Sequence, residues 1–257
     1  MLSQLVRVNP DLNLEGPNSS TRTLVLGSNG LLRMLFPIET VAWHKAIELV
    51  FMQRAVVVKY YGNLLVRSRY FATLAPAVIR MNKSCKISNT VPHYSYPNLL
   101  IRDYNQCQYC GSVPKTVDHF VPKWFTRIMR IIEDGKIHIL QDMEIASDII
   151  VNLLRQPLTW KNASCICEEL EPTLLKFDFS KFPALPLNWE NAVAACKNCN
   201  AKKGPHSIGS AEVELQYEAP YAPNSSHMVG NYLHVHQANI PPVWMNFLQK
   251  SLRVANR

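Results

Sequence analysis

The stretch CQYCGSVPKTVDHF, residues 107–120, decides what kind of fold the chain adopts. Its two cysteines, two residues apart, are typical of a metal site. The pair Asp118-His119 follows eight residues after the second cysteine. A structural zinc clip needs only the cysteines, whereas an adjacent carboxylate and imidazole suit catalysis. The stretch by itself leaves both interpretations open.

The partner of this stretch is LPLNWENAVAACKNCNAKKG, residues 185–204, which supplies Cys196 and Cys199. Four thiolates in two C-x-x-C pairs satisfy tetrahedral Zn²⁺. We expect the first pair to lie on a knuckle turn and the second near the start of a helix. Such a closed site is structural and couples on the order of 10–16 kcal/mol of apparent binding energy to folding.

Zinc held by both pairs would bring Asn200 close to Asp118 and His119. Carboxylate and amide oxygens are hard ligands that suit Mg²⁺ or Mn²⁺, and an adjacent imidazole can deprotonate water. These residues therefore indicate metal-assisted attack on a phosphodiester. Simpler roles stay open, with Asn191 capping a helix over residues 192–196 and Asn200 capping the end of its own helix.

The chain resembles the HNH endonuclease family, in the subgroup with four zinc cysteines around a ββα-metal fold, in the segments IRDYNQCQYCG, TVDHFVP and NWENAVAACKNCNAKKG. The stretch from RTLVLG to PAVIRM is also similar to the region that precedes the HNH module in part of that family. The resemblance covers about residues 22–122 and 185–223.

The resemblance implies a role for each matching residue. Asp118 and Asn200 would bind the catalytic cation, and His119 would be the general base. Asn191 would brace the loop that carries His119, and Lys203 would contact a phosphate. Structural zinc would be held by Cys107, Cys110, Cys196 and Cys199. The expected cofactors are therefore structural Zn²⁺ and catalytic Mg²⁺ or Mn²⁺.

One departure from the family is an insertion, residues 123–188, between the strand with His119 and the W-x-N segment. We expect it to form a folded lobe, with a helix, turn and strand over 123–140 and a helix capped by Ser147. It could contact substrate, dock a partner or block the site. Its cysteines, Cys165 and Cys167, are expected to be free thiols rather than ligands.

The remaining patterns predict an α+β fold. Strands are expected at residues 22–27 and 55–61, a helix capped by Thr40 at 40–55, and further short extended segments at NLLVRS and APAVIRM. The sequence after Cys199 predicts an amphipathic C-terminal helix. The expected division is a loose leader (1–20), a basic α+β region (21–98), a zinc module interrupted by the insertion (99–223) and a C-terminal extension (224–257).

The formal net charge is +8, and residues 1–105 hold 12 Lys and Arg against 5 Asp and Glu. This surplus favours a polyanion partner, although a merely soluble basic protein would also show it. We expect nucleic acid as the partner, with DNA favoured over RNA. The expected contacts are Arg67, Arg69, Arg80, Arg102, Lys202 and Lys203.

The seven cysteines form an odd set with two C-x-x-C pairs, which favours metal ligation in a reducing intracellular compartment over a disulfide framework. A secretory signal and a membrane-spanning run are not expected, and a mitochondrial or plastid location stays open. His206 is a rival third metal ligand. His234 and His236 alternate as they would on one strand face.

Two functions follow from these patterns. The first is an HNH-type endonuclease that hydrolyses nucleic-acid phosphodiesters with one divalent cation and a structural zinc. The second is an HNH-fold protein kept as a structural or RNA-binding component of a larger assembly, for instance an organellar ribonucleoprotein. In both, the insertion and the C-terminal tail are candidate surfaces for protein partners.

Overall fold

The computed structural model describes residues 5–83, 91–211, 213–216 and 220–255. The fold is mixed α+β and divides into two compact units. Unit 1 comprises residues 1–92 with 224–257, and unit 2 comprises 93–223. None of the helices in the described residues is long and apolar enough to cross a membrane.

Unit 1 is built on a four-stranded sheet of order β2-β1-β4-β3. Its elements are β1 (Arg22–Leu26), β2 (Thr40–Ala42), α1 (Trp43–Phe51), β3 (Ala55–Arg67) and β4 (Ala72–Met81). The apolar run of β1 is almost completely buried, as its sequence predicts. Strands β1 and β4 run parallel, and the other two pairs are antiparallel. Helix α1 packs on the sheet through Ala46 and Val50.

Three expectations for unit 1 need correction. Thr40 does not cap a helix, because it begins β2 and α1 starts three residues later. The segment NLLVRS is the second half of the long, bulged β3 rather than a separate strand. The leader is not loose where it is described, since the carbonyl of Glu15 accepts from the backbone of Leu65 and Arg7 bridges to Thr73.

The C-terminal segment belongs to unit 1, whereas we expected a separate extension. It forms α8 (Ser225–Val235), a 3₁₀ turn (Gln237–Asn239) and α9 (Pro242–Ala255). The amphipathic helix is confirmed in α9, which buries Trp244 and Leu248 and donates from the Trp244 indole to the carbonyl of Ala77 at 2.8 Å. His234 lies in a helix, so the expected strand there is wrong.

Unit 2 begins with α2 (Tyr96–Arg102) and contains the antiparallel strands β5 (Thr116–His119) and β6 (Ala192–Ala195), followed by α7 (Lys197–Lys203). In the register, Asp118 faces Val193 and His119 faces Ala192. Strand β6 is buried along its whole length, since its small apolar residues allow close approach of the neighbouring elements.

The insertion is a helical lobe between β5 and β6. It contains α3 (Lys123–Glu133), α4 (His138–Asp142), α5 (Ser147–Leu154) and α6 (Trp160–Leu174), which share one apolar core. The strand expected near residue 140 is instead α4. Ser147 does not cap α5, because it is the first residue inside the helix and no side-chain hydrogen bond caps that end. The Trp124 indole of α3 donates to the carbonyl of Pro205 at 2.9 Å.

Candidate functional site

Four cysteines of unit 2 converge on one point. The first pair lies on a tight turn, in which Gly111 donates to the carbonyl of Cys107 at 2.8 Å and takes a φ of +74° that favours glycine. In the second pair, Cys196 caps α7, and its sulfur accepts from the backbone of Cys199 at 3.4 Å. The four sulfur atoms all lie within 4.8 Å of one another.

The geometry of this cluster fits a tetrahedral metal ion. Zinc–sulfur bonds of about 2.3 Å in a tetrahedron place the sulfurs about 3.8 Å apart. The sulfurs of Cys110 and Cys196 are 3.8 Å apart. The backbone hydrogen bond from Cys199 and the Ser112 hydroxyl lower the pKa of Cys196, whereas burial and the neighbouring thiols raise the pKa of Cys199. The cluster can therefore hold a metal such as zinc.

Strand β5 carries Asp118 and His119 beside this cluster, and Asn191 fixes the chain immediately after them. The Asn191 side chain is fully buried, and its Oδ1 accepts from the backbone of Val121 at 2.6 Å. Its carbonyl accepts from Phe120 at 3.1 Å. Because residues 192–195 form a strand, Asn191 does not cap a helix. It braces the segment that follows His119.

Asp118 is buried and already in contact with a positive charge. Only 5% of the residue is exposed. The Lys203 ammonium lies 3.3 Å from Asp118 Oδ2 and 3.4 Å from Oδ1, and it donates to the carbonyl of His119 at 2.8 Å. The hydroxyl of Tyr109 also donates to Asp118 Oδ2. Both carboxylate oxygens therefore have donors.

The position of Lys203 corrects an expectation. Only 1% of Lys203 is exposed, so its ammonium does not reach out to a phosphate. It makes a buried ion pair with Asp118, at the point where a cation was expected. Pairing offsets the large desolvation penalty that either charge would carry alone in this environment.

The imidazole of His119 is half-buried, so solvent reaches one part of it. Burial lowers the pKa of His119 because it disfavours the charged ring. The Asp118 carboxylate opposes this shift, while Lys123 and Lys203 add to it. The net result is a neutral ring at physiological pH, which is the protonation state that can accept a proton.

Asn200 reaches the same strand from α7. Its side-chain nitrogen donates to the hydroxyl of Thr116 at 3.1 Å and to the carbonyl of Val117 at 3.3 Å. These contacts hold it beside the residue that precedes Asp118. It does not cap the end of α7, because the residue in that position is Gly204, with a φ of +56°.

The expected nucleic-acid contacts divide by exposure. Arg69, Arg80 and Lys202 are exposed. Arg67 is exposed as a residue, but its guanidinium donates to the backbone carbonyls of Pro10, Leu12 and Leu14.

The expectation that Arg102 contacts nucleic acid is wrong, because the residue is 3% exposed. Its guanidinium forms a two-pronged pair with Asp103 and donates to the carbonyls of Trp189 and Ala192, both at 2.6 Å. Arg102 therefore holds the W-x-N segment and the start of β6 in position.

Two further residues of unit 2 make polar contacts that the sequence analysis missed. Tyr109 lies between the two cysteines of the first pair, and nothing in its spacing indicates a functional role. Glu171 of the insertion is buried, and its carboxylate accepts from the backbone of Ser207 at 2.8 Å and contacts His206 Nδ1 at 2.6 Å. His206, the rival third ligand for the catalytic cation, therefore has its Nδ1 engaged by a carboxylate of the insertion.

Comparison with known protein families supports the resemblance seen in the motifs. Residues 23–89 match the family described as the HNH endonuclease-associated N-terminal domain. The match confirms the resemblance to the HNH family that the motifs indicated, and it falls on the region that was expected to precede the HNH module. No curated protein and no solved structure matches the chain.

Proposed function

We propose that the protein is an HNH-type endonuclease, which hydrolyses a nucleic-acid phosphodiester with one divalent cation and uses its four-cysteine cluster for structural zinc. The observation that carries the proposal is the arrangement on β5 and β6. A buried carboxylate, Asp118, precedes a half-exposed neutral imidazole, His119, and the Asn191 amide fixes the backbone directly after them. These two strands with α7 match the order of a ββα-metal module.

Two oxygen-bearing side chains of the kind that suits a hard divalent cation lie on or against β5. Asp118 offers carboxylate oxygens, and the Asn200 side chain contacts the same strand. The Lys203 ammonium already pairs with this carboxylate, so a positive charge beside Asp118 is consistent with the proposal. When bound, Mg²⁺ or Mn²⁺ would stabilise the charge that develops on the phosphate and on the leaving oxygen.

The protein's own residues would perform the proton transfer and the positioning. The neutral imidazole of His119 accepts a proton from a water molecule as that water attacks phosphorus. Asn191 holds the backbone at Val121 and so helps to position the chain that carries His119. The exposed cations of unit 1, including Arg69 and Arg80, would bind the nucleic-acid backbone without reading its sequence.

The test is cleavage of duplex DNA and of structured RNA by zinc-loaded protein with Mg²⁺ or Mn²⁺. We expect His119→Ala to reduce cleavage by about two to four orders of magnitude, the range for loss of a general base. His138→Ala is the matched control, since His138 is exposed in the insertion. Cleavage that persists in His119→Ala would reject the assignment.

A second function is favoured by the Lys203–Asp118 ion pair. If the ammonium stays on Asp118, the chain is a zinc-stabilised nucleic-acid-binding protein without nuclease activity, which suits a component of a larger, RNA-containing assembly. Salt-sensitive binding by zinc-loaded protein, with no cleavage of either nucleic acid, would support this function over the first.

A further inference from the structure

Lys203 occupies an unusual position for a lysine. Its residue is 1% exposed, and its ammonium has three protein oxygens within 3.4 Å: both oxygens of Asp118 and the carbonyl of His119. A buried ammonium is stable only when such partners replace its water. Lys202, the neighbouring lysine on α7, is exposed.

From this geometry we infer that Lys203 is the resident cation of Asp118 and competes with the divalent ion for that carboxylate. The inference rests on the proposed function, which assigns the divalent ion to Asp118. An ammonium and a divalent cation that share one carboxylate repel each other. The ion therefore binds only as the Lys203 ammonium leaves Asp118.

The competition has a structural consequence for the resting protein. With Lys203 in place, the buried carboxylate is neutralised without any bound ion, so β5 and α7 stay together before the cation arrives. The cost is a weaker affinity for the divalent ion, because binding must first break the ion pair. Removing the ammonium should therefore tighten binding of the ion.

The experiment measures Mn²⁺ binding to the zinc-loaded full chain by electron paramagnetic resonance of free Mn²⁺. We expect Lys203→Met and Lys203→Gln each to bind Mn²⁺ at least about tenfold more tightly than the unaltered chain. Lys203→Gln retains a donor for the carbonyl of His119. Lys197→Met, which removes the charge of another exposed lysine on α7, should leave the affinity unchanged, and Asp118→Asn should abolish binding at this site.

A second measurement uses the unaltered protein and does not depend on how the variants fold. Reductive methylation followed by mass spectrometry should leave Lys203 unmodified without Mn²⁺ and should modify it at saturating Mn²⁺. Lys202 should be modified in both conditions. Protection of Lys203 at saturating Mn²⁺ would overturn the inference.

The outcomes separate this inference from the proposed function. Equal or weaker Mn²⁺ affinity in both Lys203 variants, with cleavage by the unaltered chain, would overturn the competition and leave the nuclease intact. Tighter Mn²⁺ binding in those variants, without cleavage by any protein, would support the competition and reject the nuclease.

Discussion

The hydroxyl of Tyr109 donates a hydrogen bond to the carboxylate of Asp118. Tyr109 lies in the turn between Cys107 and Cys110, so the position of the carboxylate is tied directly to the cysteine cluster. Burial raises the pKa of Tyr109, and the negative charge of Asp118 raises it further. The phenol therefore stays protonated and remains a donor.

We expect Tyr109→Phe to lower the free energy of unfolding by about 1.5–3 kcal/mol, the range for a hydrogen bond to a charged group. Cleavage should also fall, since Asp118 loses a contact that orients it. Urea unfolding of zinc-loaded protein and the cleavage rate measure the two effects. Tyr96→Phe, at an exposed position of α2, is the control and should change neither. Wild-type stability and rate in Tyr109→Phe would contradict the coupling.

Purified protein should contain one zinc ion per chain, bound by the four clustered cysteines. Cys107→Ser should lose the metal and destabilise unit 2, because structural zinc couples on the order of 10–16 kcal/mol of apparent binding energy to folding. Elemental analysis and thermal unfolding measure these effects. The control is Cys165→Ser, since Cys165 is exposed on α6 and lies outside the cluster. Full zinc occupancy in Cys107→Ser would disprove the assignment.

Glu171 should fasten the insertion to the segment after α7. Glu171→Ala leaves the backbone of Ser207 and the ring of His206 without their acceptor, so we expect a loss of about 1–3 kcal/mol in the free energy of unfolding. Glu169→Ala removes an exposed carboxylate from the same helix and should cost no more than about 0.5 kcal/mol. Equal stability of the two variants would count against a stabilising contact between Glu171 and the segment after α7.

Glu171 should also make the free energy of unfolding depend on pH. Burial alone would raise the pKa of Glu171, but the hydrogen bonds from Ser207 and His206 outweigh it and hold the pKa below the ordinary value of 4.5. The resulting stabilisation is present above pH 4.5 and is lost as pH falls through the lower folded-state pKa. The stability difference between wild type and Glu171→Gln should therefore shrink in acid. Urea unfolding along a pH series measures it, and a constant difference would refute this account.

Exposed arginines of unit 1 should contribute to nucleic-acid binding through phosphates. Arg69→Ala and Arg80→Ala should each reduce the slope of log affinity against log salt by about 0.9 for duplex DNA, the value for one lost phosphate contact. Fluorescence anisotropy with a random duplex measures this slope. Arg33→Ala is the control, because Arg33 is paired with Glu39 at 3.0 Å. Unchanged slopes in all three variants would argue against a polyanion partner.

Local spacing explains what could be predicted from the sequence. The two C-x-x-C pairs predict a metal-binding cluster, and the apolar run of β1 predicts that this strand is buried. The mixed α+β class and the C-terminal amphipathic helix also follow from residue periodicity. In each case the deciding interactions are between residues close together in the chain, or between residues of one distinctive type.

The remaining features depend on tertiary contacts that spacing does not encode. Lys203 could have pointed to solvent, and only the packing of α7 against β5 turns its ammonium towards Asp118. Arg102 looked like a surface cation, but the carbonyls around it make a buried position favourable. The β-branched residues Ile137 and Ile139 around the start of α4 favour a strand, yet the helical core of the insertion overrides that preference.

The hydrogen bond from Trp244 to the carbonyl of Ala77 has a consequence for biosynthesis. The ribosome makes β1 to β4 early, but it makes α9 only after the whole of unit 2. Throughout that interval, the nascent sheet lacks the helix that buries Trp244 and Leu248 against unit 1. A partly made sheet with uncovered apolar surface is prone to aggregate, so nascent chains should depend on chaperones until translation reaches α9.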